Sequence, residues 1–408
     1  MTITSVMPFA YPATQFGGPV TQLEAVTPEL ARRGHDIRLV TLDLGIGDRM
    51  PRDQWVARRG FWTWYASTRS WHRIAPYWAP VLRRPLHESL ADSDALHLQL
   101  GLHFLSSFGM RLARQHGVPY VYSPRGTLSE YRLHDRGLSK ACFLRFFERR
   151  VIGRADALHA LSLAECDELA KQGGDRSRMQ IIPNCVVAPD ASDLPDKTAA
   201  RRQLGVPRDA TVVLFISQLH AIKGLDLLIE AAGSVLPDRP DLYLLIAGPD
   251  AGYGAKTREL LKQAGLAQRS QLLGHVADQR KRAAFAAADL FSLPSYAEGM
   301  PNAALEASAM GLPVLLSEAC HLPAVEMFGA GRIVPPEREA LTEALRLMCQ
   351  SDYLSRMGER GQQMVASDFS VTRLADQLEH LYATIAGQAN HSDPPAQPSP
   401  SDRPITTQ

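Results

Sequence analysis

The chain has 408 residues, 45% of them hydrophobic and 21% charged, with a formal net charge of +1, which is material for two or three domains with cores of their own. The charge is unevenly placed: residues 1–186 hold 24 Lys/Arg against 17 Asp/Glu, and residues 187–408 hold 20 against 26. A basic half beside an acidic half argues against a nucleic-acid binder, no apolar run reaches the ~18 residues of a membrane span, and Met1–Phe9 lacks the basic start of a signal peptide.

Strands are predicted over Thr2–Met7, Asp36–Leu42, Ala95–Leu98 and Pro119–Ser123, with helical spacing in Val20–Arg33 and Phe104–His116. Each helix closes on basic residues and a glycine, as in Arg32-Arg33-Gly34 and His116-Gly117, which suits a helix C-terminus. This alternation means a parallel sheet covered by helices. Within the same half, Trp55, Trp62, Trp64, Trp71 and Trp78 share Arg52–Arg84 with seven arginines and a single acid, Asp53. That stretch suits a membrane interface, a platform on which sugars stack, or plain core packing. Lys140–Arg154 adds Lys140, Arg145, Arg149, Arg150 and Arg154 between Phe143, Phe146 and Phe147, a second basic and aromatic face.

The rhythm breaks at Ala188–Arg208, a proline-rich stretch that reads as a linker with one short helix. A second series follows, with strands predicted over Thr211–Ile216, Leu242–Ala247, Gln271–Leu273, Leu290–Leu293, Pro313–Leu316 and Gly331–Val334. Helices fit Gly224–Val235, Ala255–Ala264, Asp278–Ala287, Asn302–Met310 and Arg338–Met348, and Ser370–Ile385 is a last amphipathic helix. The expected organisation is two Rossmann-like, doubly wound α/β domains, 1–190 and 191–370. The helix within 371–387 packs back on the first, and 388–408 form a disordered tail. Two such domains turn their strand C-termini, and so their ligand loops, toward a shared cleft.

The chemistry concentrates in PSYAEGMPNAALEASAMGLPV, residues 294–314. A strand ends, a loop carries Glu298 and Gly299, and a helix opens with Pro301 in its first turn. Free amides near Met300, Asn302 and Ala303 then make an anion site. Glu306 follows within the helix, and both carboxylates are pure acceptors suited to sugar hydroxyls.

This Glu-x7-Glu segment closely resembles the donor-site signature of the family 4 glycosyltransferases, retaining enzymes of the GT-B fold. The resemblance runs over about residues 2–385 in common order. FISQLHAIKGLDLLIEA (215–231) places Lys223 in the phosphate-binding position, and LLIAGPD (244–250) matches the next strand and glycine turn. LLGHV (272–276) brings the backbone at Val276 to the base, and IIPNCV (181–186) resembles the segment before the linker. Gly17-Gly18-Pro19 matches the loop that approaches the donor phosphates, and GHDIRLVT (34–41) and DALHLQLG (94–101) match two further strands. SPRGTL (123–128) resembles the acceptor-side segment of capsule, exopolysaccharide and lipopolysaccharide transferases, which puts Arg125 and Gly126 on that side.

The resemblance implies that the first domain binds a glycan or lipid-linked oligosaccharide acceptor and the second a UDP- or GDP-linked sugar. Glu298 would face the transferred sugar and Glu306 the ribose. Lys223, the Gly17–Gly18 loop and the helix amides would stabilise the leaving diphosphate, with Gly299, Met300, Pro301, Asn302 and His220 around the donor. Configuration would be retained with no metal and no cofactor besides the sugar-nucleotide substrate. Apart from the resemblance, reduced cysteines point to a cytoplasmic protein, and the basic, aromatic first half to contact with the inner face of the cell membrane.

Two departures stand out. Gln218 occupies a position where the family usually has Arg, so a neutral side chain replaces a cation: either another cation compensates, or turnover is slow, or the donor sits differently. Arg125 stands where many relatives have His. Asp92-Ser93-Asp94 spells a metal-binding DxD but precedes a strand and reads as a turn. His97, His103 and His275 read as structural or peripheral, and the five scattered cysteines as reduced thiols. The rival readings are a sugar-nucleotide-binding protein without turnover, which Gln218 favours, and a sugar phosphorylase. A dinucleotide oxidoreductase would need a GxGxxG after a strand, which is missing.

Overall fold

The computed structural model describes residues 1–68, 80–129, 143–188, 195–349 and 354–391. Trp71, Trp78, Lys140, Cys142, most of the expected linker's proline-rich half and the tail beyond 391 lie outside the described residues.

The first sheet uses β1 (Thr2–Val6), β2 (Asp36–Leu42), β3 (Trp55–Arg58), β4 (Phe61–Ala66), β5 (Ala95–Gln99), β6 (Tyr120–Ser123), β7 (Ala157–Ala160) and β8 (Met179–Ile181), in the order β3-β4-β2-β1-β5-β6-β7-β8. All pairs are parallel except β3 with β4. The second sheet uses β9 (Thr211–Ile216), β10 (Leu242–Ala247), β11 (Ser270–Gly274), β12 (Leu290–Leu293), β13 (Val314–Ser317) and β14 (Gly331–Val334), ordered β11-β10-β9-β12-β13-β14 and wholly parallel. Strands buried on both faces need apolar runs rather than alternation, and β10, LYLLIA, is buried at every position.

Helices α1 (Gly18–Arg32), α2 (Arg83–Leu90), α3 (Phe104–His116), α4 (Arg149–Arg154) and α5 (Leu163–Lys171) cover the first sheet. α6 (Lys197–Leu204), α7 (Leu225–Val235), α8 (Gly254–Gln263), α9 (Asp278–Ala287), α10 (Asn302–Ala309), α11 (Ala324–Met327), α12 (Arg338–Cys349) and α13 (Leu354–Asp368) belong to the second half. α14 (Val371–His391) returns to the first: its Leu374, Leu378, Leu381, Tyr382 and Ile385 share a core with Ile3, Leu23, Leu30 and Leu39. Residues 388–391, expected in the tail, are therefore helical, because Ala and Gln there favour continuing the turn.

The described part of the tryptophan stretch packs only in part, with Trp62 left 45% exposed. β3 and β4 form a hairpin on the sheet edge, with Trp64 buried and edge-on to Trp55 at 5.6 Å between rings. Arg58 pairs with Glu24 at 2.8 Å and Arg52 with Asp43 at 2.9 Å, so much of the positive charge is already neutralised. Asp92 pairs with Arg38 and Asp94 accepts the Thr2 amide, so the DxD is a structural turn.

Candidate active site

In each sheet the connections run outward in both directions from a switch point, where ligands bind beyond the strand C-termini. In the second sheet that point lies between β9 and β12. Its two loops carry Gln218 to Lys223 and Ser295 to Pro301, the segments singled out by motif. They are locked together. The Tyr296 amide donates to the Ile222 carbonyl at 2.8 Å, and the Tyr296 hydroxyl to Asp226 at 3.0 Å. Gly224, at φ +66°, leaves no room for a side chain, since a Cβ there would lie 1.9 Å from the Pro294 oxygen. The loops thereby set Lys223 Nζ 2.6 Å from Glu298 Oε1, which also accepts from Ser295 Oγ at 3.0 Å.

A second pair stands beside the first. Lys281, in α9, places Nζ 2.7 Å from Glu306 of α10. All four charged groups line one cavity of about 760 Å³ between the two sheets. Pro301 sits at the cap position of α10 rather than within its first turn. The first ladder bond is made by Ala304 to the Pro301 oxygen at 3.1 Å, so the Asn302 and Ala303 amides precede the ladder at the helix mouth.

The walls touch along a seam. Asn302 Nδ2 donates to the Gly18 oxygen at 3.1 Å, and its Oδ1 accepts from Asn184 Nδ2 at 2.8 Å. Gly126 and Gly299 meet back to back: a Cβ on Gly126 would lie 2.9 Å from Gly299 Cα, and one on Gly299 3.0 Å from Gly126 Cα. The turn bearing Gly126 is pinned from behind by buried Glu165, which accepts the Gly126 amide and, at 2.6 Å, that of Leu161. Burial raises the Glu165 pKa, with those amides opposing it.

Arg125, at φ +50°, donates from Nε to Gln99 at 2.9 Å and from Nη1 to Asn184 at 3.3 Å. It has no carboxylate partner among the described residues. Burial lowers its pKa, with the nearby Glu165 charge opposing the shift. Among the described residues, Arg49, also on this wall, donates only to the Ile46 and Gly45 carbonyls. Phe9, Tyr11 and Phe16 complete the mouth on this side, with Phe9 stacked on Phe16 at 4.2 Å.

Of the residues expected at the site, Gly17, Gly18, Arg125, Gly126, Gln218, Lys223, Val276, Glu298, Gly299, Met300, Pro301, Asn302 and Glu306 all line the cavity. His220 does not: its Nδ1 accepts the Ile222 amide at 3.2 Å and caps the turn that carries Lys223. His275, expected to be structural or peripheral, is on the cavity wall beside Val276. The tryptophans proposed as an acceptor platform are absent from the described lining. Lys281 and Arg49 escaped the sequence reading. Lys281 sits in the run Arg280-Lys281-Arg282, which looks like a solvated helical face.

Two Rossmann-like units facing across a cleft are the architecture of the GT-B glycosyltransferases. Residues 17–185 match the glycosyl transferase 4-like domain and residues 196–364 the glycosyl transferases group 1 domain. The D-inositol 3-phosphate glycosyltransferase of Rhodococcus jostii is 30% identical over 346 residues, spanning 80% of this chain and 74% of that protein. The chain belongs to this glycosyltransferase family. Among solved structures, Anabaena HepE in complex with UDP and glucose superposes with a TM-score of 0.75 at 19% identity, covering 94% of this chain and 100% of that one. WaaG, a glycosyltransferase involved in lipopolysaccharide biosynthesis, gives 0.67 at 19% identity, covering 96% and 100%.

Proposed function

We propose that the enzyme transfers a sugar from a UDP- or GDP-linked donor to a hydroxyl of a glycan or lipid-linked acceptor in surface polysaccharide assembly, with retention of configuration and without a metal. The observation that carries this reading is the pair of pairs, Lys223–Glu298 and Lys281–Glu306, beside the α10 amides. A sugar nucleotide has two polyol rings joined by a dianionic diphosphate. Its hexose hydroxyls suit Glu298 and its ribose hydroxyls Glu306. Each carboxylate so engaged frees its lysine to turn to the diphosphate between them. Lys281 then supplies the second cation that Gln218 lacks. HepE was solved with UDP and glucose, an occupant of the same chemistry.

In the reaction the acceptor oxygen bonds to the anomeric carbon on the face from which the phosphate departs. The acceptor proton passes to the departing phosphate oxygen. The protein's part is electrostatic: two lysines and the helix amides meet charge as it grows on the leaving group. The standing cations Arg125 and Arg49 on the opposite wall favour an acceptor that carries negative charge, such as the phosphate of a lipid linkage. The R. jostii relative is described as acting on an inositol phosphate, which is a charged acceptor too.

A thermal-shift screen of UDP- and GDP-sugars, followed by NMR of the product anomer and assay in EDTA, tests the proposal. A ligand at 100 times its dissociation constant adds about 2.7 kcal/mol to stability. No shift with any sugar nucleotide, or an inverted product, would remove the reading.

A further inference from the structure

Glu148 closes a π-helical turn, Leu144–Glu148, just before α4. One more residue per turn rotates side chains out of ordinary helical register, and such turns concentrate at functional sites. Here the rotation puts an acid inside: Glu148 is wholly buried, while Phe146 and Phe147 of the same turn are exposed. Its Oε1 accepts from the Tyr122 hydroxyl, and its Oε2 has no hydrogen-bond partner among the described residues. A carboxylate with half its acceptors unmet is costly to bury.

The carboxyl ends against the loop that joins β5 to α3. A Cβ on Gly101 would lie 2.5 Å from Thr127 Oγ1, 2.5 Å from the Tyr122 hydroxyl and 3.0 Å from Glu148 Oε1, so three side chains converge on one glycine. On either side of it, Leu100 and Leu102 hold φ of +68° and +61°. Residues with side chains rarely occupy that region, and they stay there only where neighbours over-determine the backbone. Thr127 supplies one tie: its Oγ1 accepts the Gly101 amide at 3.1 Å and donates to the Pro124 carbonyl at 2.8 Å. Leu100, Arg125, Gly126 and Thr127 all line the cleft. A buried acid outside the cleft is thus joined, through Tyr122, Gly101 and Thr127, to the turn that carries Arg125.

Burial pushes the Glu148 carboxyl up from 4.5 to about 7, with the Tyr122 hydroxyl and the Leu102 amide opposing the shift. Other groups around it keep one state near neutral pH. Burial holds Tyr122 well above its ordinary value, and so protonated; it lowers His103, at the start of α3, to about 4, and so leaves it neutral. Glu165 of α5 braces the same turn from the far side through the Gly126 amide, and burial raises its carboxyl too. Arg111 and Arg114 of α3, and Arg145, Arg149, Arg150 and Arg154 beside Glu148, are exposed, where solvent and salt screen them. A closed wall binds the Glu148 proton more tightly than an opened one, so opening becomes easier as pH climbs from 4.5 to about 7.

We propose that Glu148 is a positioning residue for the cleft: with Tyr122, Gly101 and Thr127 it holds bend 100–102 and turn 125–127 in register, and it releases them in part when it loses its proton. That this wall meets an acceptor rests on the proposed function; the brace itself does not.

Hydrogen exchange of the full chain at pH 5.5 and 7.5, corrected for intrinsic rates, tests this without any substrate, so its failure is separate from that of the donor screen. Amides of 100–102 and 125–127 should exchange ahead of β1 and β2, and their protection should fall roughly twentyfold between the two pH values. Glu148→Gln keeps an oxygen for the Tyr122 hydroxyl but cannot ionise, and should hold its protection at both. Glu165 is intact in that variant, so the difference from wild type belongs to Glu148. Thr127→Val should leave the pH response at 100–102 and abolish it at 125–127. Flat protection in both wild-type segments, or a pH response confined to β1 and β2, would overturn the proposal. So would a Glu148→Gln protein that responds like wild type, or a Thr127→Val protein that still responds at 125–127.

Discussion

On the second domain's wall of the cleft, Lys223 and Lys281 each lie against a carboxylate. On the first domain's wall, Arg125 and Arg49 donate, among the described residues, only to side-chain amides and backbone carbonyls. A bare buried ammonium costs several kcal/mol in lost hydration. The lysine wall avoids that cost by pairing each ammonium with a glutamate, and under the proposed function its lysines turn to a ligand only when hydroxyls engage those glutamates. The arginine wall is cationic at all times, and guanidinium, being more weakly hydrated, tolerates that better. One wall therefore suits a ligand bearing both diols and a diphosphate, the other a ligand bearing charge alone.

The most damaging way to break the contrast is Lys223→Ala. It strands Glu298, 11% exposed at its side chain, and removes a cation from the leaving group. A loss of about 4 kcal/mol in the transition state, roughly a thousandfold in kcat/KM, is expected. A variant retaining a tenth of wild-type transfer would show that the pair is only structural.

The arginine wall is backed by a different device, the buried Glu148, whose carboxyl accepts from the Tyr122 hydroxyl and is pushed up to about 7 by burial. Unfolded, it would titrate near 4.5. A raised carboxyl contributes stability that is complete below the unfolded value and lost as pH climbs through about 7. The span amounts to something on the order of 3 kcal/mol. Denaturant unfolding between pH 4.5 and 8 should show this decline in wild type and lack it in Glu148→Gln. Parallel curves for the two proteins would locate the pH dependence elsewhere.

A finer test concerns how Gln218 is compensated. Lys281→Ala should weaken donor binding by about 1.5–3 kcal/mol. Gln218→Arg alone should gain at most about 1.4 kcal/mol, tenfold in rate, and should gain more in the Lys281→Ala background. Additive effects in that double-mutant cycle would mean the two positions do not serve the same phosphate.

The strands of the second domain were legible because parallel β-strands are apolar runs; Thr211–Ile216, Leu242–Ala247, Leu290–Leu293 and Gly331–Val334 match their predicted bounds. The hairpin Trp55–Ala66 was not, since aromatic and arginine content reads equally as surface or as strand until pairing settles it. β7, β8 and α5 went unread: β7 and β8 mix His, Gln and Ala into their runs and so lack the continuous apolar signal of the second sheet's strands. At the site, motif spacing found both glutamates and Lys223, because each sits in a contiguous segment that carries the resemblance. Lys281 meets Glu306 only in the folded chain, across 25 residues of sequence and from one helix to another, and His220 turned inward as a cap. Local sequence does not encode either outcome.

The return of α14 to the first sheet has a consequence for synthesis. The first half of the chain to emerge lacks Leu374, Leu378, Leu381, Tyr382 and Ile385, which fill one side of its core beside Ile3 and Leu39. It also lacks Glu379, the partner of Arg33 and His35. Domains generally form as they leave the ribosome, the N-terminal one first, but here the earliest domain must wait, partly open, for the latest helix. The two halves are thus finished together, and a ribosome that stalls before residue 371 leaves neither a finished first domain nor a closed cleft.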